Sequence, residues 1–151
     1  MIDLHGQAGL PYINRGVYTG SYEGMRYRLR KKEEEDKKTL EAVIYPEPFC
    51  FEKTAEDQKE AREFPFTDEG FQQAIAWLNE QYEARQERFA LYRAMQQLDA
   101  ETREVIHLRL AGDFSFRDIG EILGHSEVWA RVRFYRGKEE LVKIIGGDNN
   151  A

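Results

Sequence analysis

Between Glu127 and Lys138 the sequence EVWARVRFYRGK carries Arg131, Arg133, Arg136 and Lys138 against one acid, a local excess of +3 in a chain whose formal net charge is −6. Four cations within three helical turns are suited to phosphate oxygens. Ser126, Glu127 and Tyr135, in and beside the first turns, add groups that can reach base edges or sugar-phosphate. These seven residues are the expected nucleic-acid-binding set: Ser126, Glu127, Arg131, Arg133, Tyr135, Arg136 and Lys138. Interleaved with them, Val128, Trp129 and Val132 lie close to Tyr135 on a helical wheel, off the apolar stripe of Ala130, Phe134, Gly137 and Leu141. An apolar patch beside arginines marks a protein interface or a packed surface, so Val128, Trp129 and Val132 are the expected partner-binding residues.

Little else in the chain points to chemistry. His5, His107 and His125 have no second histidine or cysteine at metal-ligand spacing, and no metal site is expected. The single cysteine, Cys50, forbids an internal disulfide and is given no role. There is no GxGxxG or GxxxxGK[ST] frame, so no nucleotide cofactor is expected, and no catalytic constellation stands out among the 28 carboxylates. The reading is of a protein that is not an enzyme. At 151 residues and 41% hydrophobic content the chain suits one body or two small ones. No apolar run approaches the roughly 18 residues of a bilayer span, and the start lacks a secretory signal, so a cytoplasmic protein without membrane contact is expected.

The elements that must position the basic stripe are signalled by caps. Asp99 reads as the N-cap of a helix with Val105, Ile106, Leu108 and Leu110 on one face, ended by Gly112. Ser115 with Asp118 three residues later resembles a capping box, and Phe116, Ile119, Ile122 and Leu123 give a short amphipathic helix closed by Gly124. Ser126 caps the basic helix, which Gly146 and Gly147 are expected to stop. The pattern predicts a helix-turn-helix with a long second member.

Upstream, Val17 to Arg30 alternates with period two and reads as one strand, with Gly20 and Gly24 marking a bulge or bend. Lys31 to Lys38, KKEEEDKK, reads as a solvated loop, and Thr39 to Tyr45 as a second strand pairing with Met25 to Arg30. Residues 1–15 lack periodicity and read as a loosely held arm. Lys53 to Glu63 is compatible with either a helical turn or a loop. Thr67 caps a helix whose Phe71, Ala74, Ile75, Leu78 and Tyr82 step by three and four. With no Gly or Pro from Phe71 to Gln97, one helix of about thirty residues, roughly 45 Å, is expected, with Glu83 to Arg88 as its candidate hinge. The fold class is therefore α+β: a ββα domain with an N-terminal arm (1–82), a linking helix (83–97) and a helix-turn-helix domain (98–147). Tyr22, Tyr27, Tyr45 and Phe49 with Arg26, Arg28 and Arg30 offer a lesser candidate, a stacking surface for single-stranded nucleic acid.

From Leu98 to Ile145 the residues carry a family resemblance. Leu98, Arg103-Glu104-Val105, Ser115, Ile119-Gly120-Glu121-Ile122-Leu123-Gly124, Ser126-Glu127, Arg133, Arg136 and Leu141 stand where region 4 of sigma-70-class factors has its own pattern. Val128-Trp129 and Arg131-Val132 replace that family's Gly-Thr and Lys-Ser pairs and make the outward face partly apolar. The resemblance implies a helix-turn-helix transcription regulator that binds double-stranded DNA and contacts RNA polymerase. The N-terminal segments GMRYRLRK, LEAVIYPEPF and FTDEGFQQAIAWLNEQYE are similar to small accessory proteins of mobile elements in Firmicutes. That group includes anti-CRISPR proteins, so the alternative it implies is an inhibitor of a Cas effector or its guide RNA. In the transcription-regulator reading the ββα domain is expected to supply homodimer or partner contacts.

Overall fold

Alternation from Met25 to Arg30 places Met25, Tyr27 and Leu29 on the buried face of a strand and the three arginines on the other. In the computed structural model, which describes residues 1–148, this strand is β2 (Met25–Glu34), flanked by β1 (Tyr18–Tyr22) and β3 (Lys37–Pro46). With β4 (Glu60–Pro65) they form one antiparallel sheet in the order β1-β2-β3-β4. The chain divides into two units, residues 1–84 and a second that begins at Arg85. The class is α+β, with the sheet in the first unit.

Four strands replace the two expected, and each difference has a physical cause. Val17 to Arg30 is a hairpin and not one strand: Glu23 and Gly24 both take positive φ, 44° and 84°, the two-residue reversal whose twist suits a hairpin. Gly20 lies inside β1, where a Cβ would sit 2.3 Å from Tyr27 Cζ. The charged run KKEEEDKK is also strand up to Glu34 and again from Lys37, because register sets opposite charges face to face. Glu33 is opposite Lys38 and Glu34 opposite Lys37, and Lys32 Nζ lies 2.8 Å from Glu34 and 2.7 Å from Glu63. Strand β4 has no alternation to reveal it, since only Phe64 among its six residues is buried.

The first core forms between one sheet face and helix α2 (Asp68–Met95), with Phe71, Ala74, Trp77 and Leu78 packed on Met25, Tyr27, Leu29, Leu40, Ala42 and Phe64. Thr67 Oγ1 accepts from the Gly70 amide at 3.1 Å and starts the helix. The arm of residues 1–15 is not loose. Ile2, Leu4 and Ile13 are buried in this core, the last on a one-turn helix α1 (Leu10–Ile13), and the Ile2 amide donates to Asn79 Oδ1 at 2.6 Å.

The opposite sheet face is partly covered, and of the four aromatic residues of the candidate stacking surface only Phe49 is exposed. Residues 47–59 fold over it: the Arg28 guanidinium and the Lys59 ammonium each lie 4.1 Å from the Phe51 ring centre, and that ring is edge-on to Tyr45 at 5.6 Å. Arg30 Nε donates to Glu41 at 2.5 Å and Tyr45 is buried on this side, while Tyr27 is buried in the core on the other.

The second unit packs the last turns of α2 (Leu91, Ala94, Met95) and Leu98 with helices α3 (Ala100–Leu110), α4 (Phe116–Leu123) and α5 (Glu127–Asp148). Its core is Val105, Ile106, Ile119, Ala130, Phe134 and Leu141 with those residues. Helix α5 continues through Gly146 and Gly147 to Asp148: helical glycine costs about 1 kcal/mol against alanine but does not forbid the helix. After α3 the left-handed residue is Asp113, φ 52°, and not Gly112.

Gly70 packs directly on the end of β4, since a Cβ there would lie 1.9 Å from the Pro65 carbonyl oxygen. Gly70→Ala is expected to lower unfolding free energy by about 2 kcal/mol through forced displacement of β4 from α2. Chemical denaturation followed by circular dichroism measures it, and an unchanged midpoint would refute the tight packing.

Candidate nucleic-acid interface

The helix-turn-helix is assembled from short-range hydrogen bonds. Ser115 Oγ accepts from the Asp118 amide at 3.1 Å, and the Ser115 amide donates to Asp118 Oδ2 at 3.1 Å, a complete capping box. The Ser115 hydroxyl and amide together hold the Asp118 carboxyl below its usual range. Gly124 caps α4 in the left-handed region, φ 73°. The His125 amide then donates to the Gly120 carbonyl at 2.7 Å, and Ser126 Oγ accepts from the Trp129 amide at 3.1 Å to start α5.

Helix α5 presents three faces. Ala130, Phe134, Gly137 and Leu141 point into the core. A second face, with Trp129, Arg133 and Arg136, borders a groove of about 510 Å³ against Asp99 and Thr102 at the start of α3. The third turns to solvent and carries Val128, Val132 and Tyr135, exposed to 66%, 42% and 53%, the two valines also forming the rim of that groove, together with Glu127, Arg131, Lys138 and Glu139, also exposed.

The basic residues are thus divided. Arg133 is half-buried and faces inward, its Nη2 donating to Glu101 and its Nη1 lying 3.6 Å from Asp99. Arg131 pairs with Glu127 at 2.5 Å and lies 5.7 Å from the Phe116 ring centre. Lys138 lies over the rings of Phe134 and Tyr135 at 5.6 and 6.0 Å. Arg136 is exposed and has no ion pair among the described residues. So Arg131, Arg136 and Lys138 share accessible surface with Ser126, Glu127 and Tyr135, whereas Arg133 joins helices.

Trp129 is the bridge between these faces. Its ring stacks on His125, centres 3.7 Å apart and planes 13° from parallel, and the Arg133 guanidinium lies 5.3 Å from its centre. His125 Nε2 is 3.8 Å from Glu101. Trp129 therefore leaves Val128 and Val132 as the free apolar side chains of the patch.

Two cations escaped sequence reasoning. Arg109 donates to the Phe114 carbonyl at 2.8 Å and lies 5.1 Å from the same Phe116 ring that Arg131 approaches, and Arg117 is exposed on α4. They sit in separate helices, so no local cluster betrayed them. Residues 85–151 contain 11 basic and 11 acidic side chains, against 11 and 17 in residues 1–84. The whole acidic excess lies in the sheet unit.

Residues 88–141 match the family model described as Sigma-70, region 4. The match starts inside α2 and ends in α5 at Leu141, taking in α3, α4 and the capped turn between α4 and α5. The C-terminal part of the chain is thus similar to sigma-70 region 4. No curated protein and no solved structure matches the chain.

Asp99 holds the far side of this assembly. Its Oδ1 accepts from the Thr102 amide at 3.0 Å and its Oδ2 from the Thr102 hydroxyl at 2.6 Å. The Thr102 hydroxyl and amide, with Arg133 nearby, hold the Asp99 carboxyl below its usual range. A depressed carboxyl pKa contributes stability that is complete above the unfolded value of about 3.9 and is lost as pH falls through the folded one. Asp99→Ala is expected to cost about 1 kcal/mol at pH 7, with the gap from the unmodified chain closing under acid. Unfolding measured from pH 7 to pH 2 checks this, and a gap constant over that range would rule out the carboxylate as its source.

Proposed function

We propose that the second unit binds double-stranded DNA, with α5 laid in the major groove and α4 bracing it, and that the protein is a non-enzymatic transcription regulator. One observation carries this reading: the solvent-facing first turns of α5 in a fully capped helix-turn-helix, within a segment that matches sigma-70 region 4. A helix held this way fits a major groove, and its opening turns meet base edges. Arg136 and Lys138, with Arg117 on α4, are the phosphate contacts of this reading, and Glu127 and Arg131 reach toward bases.

Arg133 has another role: it holds α5 against the start of α3 and so orients the reading helix. Contact with RNA polymerase belongs to the same reading, as do action in the cytoplasm and an origin on a mobile element. The sheet unit is then the source of homodimer or partner contacts. The family match stops short of that unit, so the reading as a Cas-effector inhibitor gains nothing from it.

Selection from a random duplex pool, at low and at physiological salt, tests the proposal. A common motif is expected to enrich, with affinity falling steeply with salt. Arg136→Glu combined with Lys138→Glu is expected to weaken binding at least about tenfold and to flatten the slope of log affinity against log salt by roughly 0.9 per lost phosphate contact. Failure to enrich any sequence, with binding indifferent to salt, would overturn it.

A further inference from the structure

We infer that the outward face of α5 selects thymine, with Val128 and Val132 packing on C5 methyl groups in the major groove. The inference rests on the DNA-binding reading of this unit and specifies what that surface recognises.

Val128 and Val132 are exposed to 66% and 42% although both are wholly apolar. They serve the fold poorly: valine is a weaker helix former than alanine, and neither belongs to the buried core. Spaced by four, they share one face and stand about 6 Å apart along the axis, close to two base steps of roughly 3.4 Å each. A β-branched side chain in a helix is confined largely to one χ1 rotamer, so their methyls are held in fixed positions. Trp129, stacked on His125 and beside Arg133, stands in the helix turn between them.

Charge identifies the occupant of this face as a polyanion. Arg131, Arg136 and Lys138 flank the two valines, and Lys138 and Arg136 carry no ion pair among the described residues. Of the acids on this side, Glu127 is bonded to Arg131 at 2.5 Å, and Glu139 stands seven residues beyond Val132, past the turns that carry the valines. An aliphatic side chain cannot read hydrogen-bond donors or acceptors. The thymine methyl is the apolar mark on base-pair edges in the major groove, so positions 128 and 132 can discriminate there only by that group.

Deoxyuridine differs from thymidine by this methyl alone, which makes the test direct. With the full chain and its enriched duplex, each thymine is replaced singly by uracil and affinity is read by fluorescence anisotropy. At two positions the replacement is expected to weaken binding about fourfold each, the scale of one buried methyl. The variant carrying Val128→Ala and Val132→Ala, whose helicity circular dichroism verifies, is expected to lose that sensitivity while still binding. A duplex bound equally well with uracil throughout, or a double variant as sensitive to uracil as the original, overturns the thymine assignment and leaves the valines to a protein contact. Recovery of no duplex in the selection overturns the DNA reading itself, and this inference with it, before any base is exchanged.

Discussion

At Gly120 a Cβ would lie 2.8 Å from the His125 carbonyl oxygen and 2.8 Å from the Ser126 carbonyl carbon. Both are backbone atoms and have no side-chain rotation by which to yield. Helix α4 therefore rests directly on the turn that follows it, and the direction in which α5 departs is set by that contact. The left-handed Gly124 and the Ser126 cap bring the chain to this point, but the missing carbon at residue 120 lets it close. Gly137 repeats the arrangement more softly on the far side, with Thr102 and Ile106 side chains where its own would be. These two close approaches let α5 seat against α4 and α3.

Once α5 is seated, its arginines acquire different meanings by angle alone. Positions 131 and 133 are two residues apart and point to different faces, one toward Phe116 and solvent, the other toward the acids that begin α3. An arginine bonded to Glu101 and facing Asp99 acts as a fastening between helices. Its charge helps to balance the paired carboxylates there. The solvent-facing side of α5 is consequently less basic and more apolar than the sequence EVWARVRFYRGK implies.

What was legible in the sequence was what is encoded within three or four residues. The caps at Thr67, Asp99, Ser115 and Ser126, the Gly124 reversal and the core stripe from Ala130 to Leu141 all depend on neighbours along the chain. What was hidden depended on partners far away. The arm is secured by Ile2 on Asn79, 77 positions later. Strand β4 is defined by register with β3 and not by its own pattern, and KKEEEDKK becomes strand because its charges meet across a hairpin. At the candidate site the same limit applies to Arg133, whose acceptor Glu101 is 32 positions away. The region 4 resemblance, drawn from Leu98 to Ile145, rests mainly on such local features, and the family model overlaps it from Leu98 to Leu141.

The charge distribution alters how the acidity of the chain is to be understood. A net charge of −6 weighs against nucleic-acid binding only if it is shared by the surface that would bind. Here the excess carboxylates all belong to residues 1–84, and the segment from Arg85 is balanced, acid for base. An isoelectric point is an average over unlike surfaces, so the value of about 5.2 for this chain is set by its sheet unit and is silent about α5.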